Sequence, residues 1–233
     1  MKKVVFILLF LICHPIFAQT KGMFSKSPII NLENWDKQRT YWGYYLGFNS
    51  FDFKFHYKNP AQEILVNKNS GFNVGLIGDL RLHEYINLRF EPGLYFTQRD
   101  LQFTNIVDPN DAKREVKSTY IHFPLLLKFS SKRTGNIRPF VVGGLSRTLN
   151  LSSNSNLIDD NEQEIFRVKK WTNNYELGFG IDLYTEYFKF TPSIRGVFGM
   201  GDELIRDNAA NSPWTGNVNS MSSRAVFINF TFQ

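Results

Sequence analysis

The chain has 233 residues, with 27 Lys and Arg against 21 Asp and Glu, a formal net charge of +6, one cysteine and 16% aromatic residues, 23 of them Phe. The single cysteine, Cys13, excludes intrachain disulfides and cysteine-only metal sites. With no basic run longer than two residues, nucleic acid is a poor partner.

Lys2 and Lys3 precede the apolar run Val4 to Ile12, and Ala18 stands at a small-residue cut, the order of a secretory leader. The run is too short for the roughly 20 residues of a membrane helix. Residues 1–18 are therefore expected to be removed as a signal peptide, leaving a net charge of +4. Residues 19–40 then form a polar periplasmic arm, and 41–233 a single β domain. Asn34, Trp35 and Asp36 in the arm are candidates for docking another protein; the competing readings are a disordered tail or a plug for the lumen.

From Tyr41 onward apolar residues recur at alternate positions, the period of a strand. "YWGYYLGFN" alternates Trp42, Tyr44, Leu46 and Phe48 with Gly43, Tyr45 and Gly47. The oily parity then changes to Phe51, Phe53 and Phe55, which predicts a bulge near Asn49 and Ser50 or the end of the buried part. "GFNVGLIGDLRL" sets Phe72, Val74, Leu76, Leu80 and Leu82 against Asn73, Asp79 and Arg81. "LRFEPGLYF" sets Leu88, Phe90, Leu94 and Phe96 against Arg89, Glu91 and Gly93. "YIHFPLLLKF" opposes Ile121, Phe123, Leu125, Leu127 and Phe129 to His122 and Lys128. The segment 137–149 is apolar on both parities and its faces stay unassigned. "YELGFGIDLY" opposes its apolar residues to Glu176 and Asp182, and "FKFTPSIRGVF" to Lys189 and Arg195. "VFINFTF" closes the chain.

These are eight strands with no convincing helix. Short links near 83–85, 131–136 and 185–187 alternate with long polar ones at 58–70, 100–117, 150–170 and 201–223. That asymmetry predicts an all-β, eight-stranded antiparallel up-and-down transmembrane β-barrel in the cell outer membrane, with periplasmic N- and C-termini and outer-membrane lipid around it. The oily face then meets hydrocarbon. The polar face, with Asp79, Arg81, Arg89, Glu91, Lys128, Glu176, Asp182, Lys189 and Arg195, forms a paired lumen network, because isolated charges there would cost several kcal/mol each. Aromatics near strand ends (Tyr41, Trp42, Tyr95, Phe96, Tyr120, Trp171, Tyr184, Tyr187) suit lipid interfaces. A soluble barrel or sandwich with the faces reversed has the same period and remains the alternative. Pro92, Pro124, Pro139 and Pro192 lack the N–H that a closed barrel needs and should mark bulges, kinks or strand ends.

No metal-binding spacing occurs, and no cofactor motif; the acidic "IDDNEQE" (Ile158 to Glu164) reads as a solvated loop. For an enzyme, Ser50, Asp52, His56 and Ser70 near the outer end of the first hairpin are the candidates for a lipid hydrolase, with a loop-base histidine the plainer reading.

"NLENWDKQRTYWGYYLGFNSFDFKF" (Asn31 to Phe55), "LRFEPGLYF", "YIHFPLLLKFSSKRTGNIRPF" and the aromatic final strand resemble PorT-type proteins over nearly the whole mature chain. Trp35 and Trp42 depart from that pattern. The resemblance implies an outer-membrane component required for type IX protein secretion, the export of proteins bearing C-terminal sorting domains, and in some bacteria for gliding motility. Its partners would be other type IX secretion components. It carries over no catalytic residues, so the expectation is a non-enzyme with no cofactor. A barrel of eight strands is filled by its own side chains, so the chain would be an accessory and not the conduit. A lipid-acting barrel enzyme and a generic structural or adhesive barrel are the alternatives.

Overall fold

A computed structural model describes residues 29–60, 62–108, 111–155, 166–209 and 211–233. The leader, the first part of the arm and the "IDDNEQE" stretch lie outside the described residues.

Among the described residues ten strands form one antiparallel sheet: β1 (Thr40–Tyr57), β2 (Ile64–Lys68), β3 (Ser70–His83), β4 (Ile86–Phe90), β5 (Gly93–Phe103), β6 (Lys113–Ser130), β7 (Ile137–Asn150), β8 (Trp171–Tyr184), β9 (Lys189–Gly199) and β10 (Val218–Phe232). β2 and β3 are halves of one span interrupted at Asn69, and β4 and β5 are halves of one span interrupted at Glu91 and Pro92. The spans therefore number eight. β1 pairs with β10 on one side and β3 on the other, so the sheet closes on itself. The short turns at 84–85, 131–136 and 185–188, the start of β1 and the end of β10 share one rim.

The oily face is outside. Trp42, Leu46, Phe48, Leu76, Phe90, Leu177 and Phe179 are all exposed, while Asp79, Arg89, Glu91, Lys128, Glu176, Asp182 and Arg195 are buried. On β8 the outward apolar run from Tyr175 to Leu183, at about 3.3 Å per residue and a tilt of about 40°, gives a height of roughly 20 Å, near the apolar band of an outer-membrane barrel. Cross-strand ring stacks on this face, Tyr44 with Phe232, Phe72 with Phe96 and Tyr175 with Phe198, knit it together.

No bulge occurs at Asn49 and Ser50. β1 runs in continuous register with β10 from Tyr44↔Phe232 to His56↔Ser220, and its only irregularity falls at His56 and Tyr57. The odd positions of β1 stay inside throughout. What changes is the medium: Ser50, Asp52, Lys54 and His56 take over the outer face, while Phe51, Phe53 and Phe55 fill the inside. β5 repeats this, with Gln98, Asp100 and Gln102 outside Leu101 and Phe103, and β6 does so with Lys113, Glu115 and Lys117 outside Val116. The barrel therefore continues above the membrane with its polarity reversed, over a dry core of Phe53, Leu101, Phe103, Val116, Phe166, Val168, Leu204, Val218 and Met221. The long polar links at 58–70, 100–117 and 201–223 are correspondingly shorter than expected, because β2 and the outer ends of β5, β6 and β10 occupy parts of them.

The strand 137–149 faces Arg138, Phe140, Val142, Ser146 and Thr148 inward and Val141 and Leu145 outward. Both parities are oily because Phe140 and Val142 pack with Leu126 inside the barrel. Lys128 Nζ lies 4.0 Å from the Phe140 ring centroid, so that ring lines a cationic pocket. Half of the strand-end aromatics also turn inward: Tyr41, Tyr95, Tyr120 and Tyr184 are buried, whereas Trp42, Trp171 and Tyr187 are exposed at the surface.

Pro139 and Pro124 lie where another group takes the missing amide's place, and Pro92 and Pro192 where pairing is interrupted. Ser131 N donates to Pro139 O, and Ser131 O accepts Arg138 Nε at 2.9 Å instead of an amide at 139. Glu91 N donates to Pro124 O, and Glu91 O accepts the Tyr45 hydroxyl. Pro92 breaks β4 from β5, and opposite Pro192 and Thr191 the β8–β9 ladder is interrupted at Ile181 and Asp182.

Candidate functional site: the charged lumen and its lower mouth

Side chains from six spans meet in the lumen. Arg89 on β4 donates to both carboxylate oxygens of Asp79 on β3, at 2.7 and 2.8 Å, and to Glu91 at 3.2 Å. Arg195 on β9 donates to the other Glu91 oxygen at 2.7 Å and sits 3.0 Å from Glu176 on β8. Glu176 in turn meets His122 Nε2 of β6 at 2.6 Å, and His122 Nδ1 meets Thr148 Oγ1 at 2.8 Å. A lower branch joins Lys128 to Asp182 at 2.6 Å, with the Thr191 hydroxyl donating to Asp182 at 2.8 Å. Each charge is buried and paired, the condition under which ions persist in a low-dielectric interior. Glycine makes the close packing possible: a Cβ on Gly93 would lie 2.1 Å from the Tyr45 hydroxyl.

Of the nine lumen residues named from sequence, eight are buried, and all but Lys189 and Arg81 belong to these ion pairs. Lys189 Nζ lies 5.1 Å from the Tyr41 ring centroid, and Arg81 lines the wider lower mouth, where it is partly exposed. Sequence reading missed Arg138, which lay in the strand of unassigned faces, Arg99, which lay between the stretch ending at Phe96 and the link beginning at 100, and Arg114, which lay inside that link. Arg99 is fully buried, with its guanidinium 3.9 Å from the Phe53 ring centroid.

The arm is fastened to the rim of the lower mouth, which Asp36 helps to line. Asp36 accepts hydrogen bonds from Tyr184 Oη at 2.7 Å and Arg138 Nη1 at 3.2 Å, and pairs with Arg133 at 3.5 Å. Arg133 lies over the Tyr184 ring and also donates to Leu32 O at 3.2 Å; Asn31 bonds Asn136 and the Tyr184 carbonyl. Trp35 stacks on Tyr41 at 5.9 Å. Of the three docking candidates, Asp36 and Trp35 are thus engaged by the barrel's own rim, and Asn34 is exposed. Asp36→Ala is expected to free this strap: trypsin should cut after Lys37 and Arg39 at least about fivefold faster than in the parent, taking about 1 kcal/mol for the lost bonds after solvent screening. Sequencing of timed digests reads this out.

Two arrangements suggest hydrolysis, and neither supports it. Ser50 and His56 lie six residues apart on one extended strand, a separation of roughly 20 Å, so they form no nucleophile–base pair. Thr148, His122 and Glu176 do follow a nucleophile, base, carboxylate order. Yet Glu176 is also held by Arg195, Thr148 accepts from Asn174 Nδ2 at 2.9 Å, and the adjoining cavity has room for roughly one water molecule. Water fits beside that threonine; an acyl chain does not. Among the described residues no cluster of three or more His, Cys, Asp and Glu could hold a metal ion.

An apolar belt around a closed sheet, a filled polar lumen and short turns on one rim define an integral β-barrel of the outer membrane. The family model for the outer membrane protein beta-barrel domain matches residues 17–204, and the chain belongs to that family. No curated protein matches it in sequence. Among solved structures, OprG from Pseudomonas aeruginosa is 12% identical with a TM-score of 0.49, the match covering 83% of this chain and 95% of OprG. AlkL, solved in DMPC lipid bilayers, is 14% identical with a TM-score of 0.41, covering 90% of this chain and 94% of AlkL.

Proposed function

We propose that this barrel is an accessory component of type IX secretion of the PorT type, acting by contact with other secretion components and not by catalysis. The carrying observation is the lumen: ion pairs from β3 through β4, β9 and β8 to β6 cross it, and Asp36 fastens the strap at the rim of its lower mouth. A folded cargo has no path through such an interior, so the barrel's work falls to its surfaces. The stretch Asn31 to Phe55 supplies the link to the secretion system, and the same stretch contains the strap. Deleting the gene is expected to leave proteins with C-terminal sorting domains inside the cell, read from the protein profile of the culture medium. A normal secreted profile in the deletion strain would overturn the proposal.

A further inference from the structure

We propose that the outer wall of β1, β10 and the β2–β3 span carries a binding site for the phosphate groups of an outer-leaflet glycolipid. The inference goes beyond the secretion reading and does not depend on it. Asp52 on β1 is nearly buried (side chain 8% exposed) and gathers two cations on one oxygen: Arg224 Nη2 at 2.6 Å and Lys68 Nζ at 3.1 Å. Arg224 Nε donates to the same oxygen at 2.7 Å. The two cations remain half exposed, at 51% and 49%, and Lys54, the next outward residue of β1, is exposed as well. Three positive charges against one carboxylate leave a net charge of +2 on one patch, with two of the cations held in place by a common anchor.

The height of the patch identifies its ligand. Phe48 is the last lipid-facing residue of β1 and Phe72 that of β3; both are more than half exposed, and Asp52 lies two outward positions above Phe48. The cations therefore stand where headgroups meet the hydrocarbon, on the rim bearing the longer loops, which faces outward. A phosphate on Arg224, Lys68 and Lys54 would leave its acyl chains lying along Phe48 and Phe72. A soluble anion would use the charges and leave those rings idle, so charge and apolar surface together favour a lipid. Arginine suits the role through its fork of donors, which matches phosphate oxygens.

The test uses the full mature barrel in phosphatidylcholine nanodiscs doped with bisphosphorylated lipid A, with retained lipid counted by native mass spectrometry. The variant Lys54→Gln/Lys68→Gln/Arg224→Gln should lose roughly a hundredfold in apparent affinity, taking the usual contribution of each surface cation to an anionic lipid. The exposed periplasmic-turn variant Lys132→Gln should bind as the parent does. Dephosphorylated lipid A should bind the parent as weakly as the phosphorylated lipid binds the triple variant. Heat-modifiable migration in electrophoresis verifies folding; if the triple variant fails to fold, Lys54→Gln/Lys68→Gln retains the Arg224–Asp52 pair and should lose at least about tenfold. Unchanged retention in a folded variant would overturn the site, as would equal binding of the dephosphorylated lipid. Displacement of the lipid by inorganic phosphate would overturn the lipid assignment in favour of a soluble anion.

Discussion

Arg195→Met is expected to destabilise the barrel by about 3–5 kcal/mol, the cost of removing one partner from a buried ionic network. Arg195 holds Glu91 and Glu176 together, at 2.7 and 3.0 Å, inside a lumen where both carboxylates are buried. Methionine fills much of the volume but leaves Glu176 with only His122 and Ser146, and Glu91 with Arg89 as its one ion-pair partner. Urea unfolding in lipid vesicles, followed by tryptophan fluorescence, should show a large drop in midpoint and loss of the heat-resistant folded band. The comparison is Glu115→Ala on the outer wall, whose carboxylate pairs with Lys113 and Lys117 in full contact with water and should leave the midpoint unmoved.

The second large effect belongs to the opposite face. Phe179 is 60% exposed near the middle of the apolar belt, and Phe179→Arg should cost about 2–4 kcal/mol in a bilayer, as charged residues do at the midplane of such barrels. Gln102→Arg, also outward but above the belt on β5, should leave stability unchanged, because water already bathes that position. Arginine is thus costly at one outward site and neutral at the other, and the difference measures where hydrocarbon ends. If both were tolerated equally, Phe179 would not face lipid.

The fold was legible because alternation is a local property. Leu88, Phe90 and Leu94 against Arg89 and Glu91 define two faces whatever surrounds the strand, and alternating loop lengths show which face meets lipid. Reading stayed undecided, between a bulge and the end of the buried part, where the solvent changes along one strand. The change from Phe48 to Phe51 looks like a register fault in sequence and is a continuous strand leaving the membrane. It stayed undecided again where an interior is oily: Phe140 and Val142 disguise an inward face that also carries Arg138. Tyr41, Tyr95, Tyr120 and Tyr184 mislead similarly, since an aromatic ring suits both a lipid interface and a packed lumen. Within the lumen, the membership of the network follows from parity, but its pairing does not. Glu91 and Arg195 are far apart in sequence, and only closure of the barrel brings them to 2.7 Å. The strap was out of reach for the same reason: nothing local to Asp36 announces Arg133, Arg138 and Tyr184 as its partners.

One measurement bears most directly on which side of the sheet is dry. Nitroxide labels placed singly at positions 179, 53 and 54 of the lipid-reconstituted barrel can be tested for collision with oxygen, which concentrates in hydrocarbon, and with a water-soluble nickel chelate. Cys13, the only cysteine, lies in the segment read as a leader. The expected result is strong oxygen contact at 179, strong chelate contact at 54, and shielding from both at 53, inside the outer core. A label at 179 shielded from both reagents would mean that the greasy face is the interior after all.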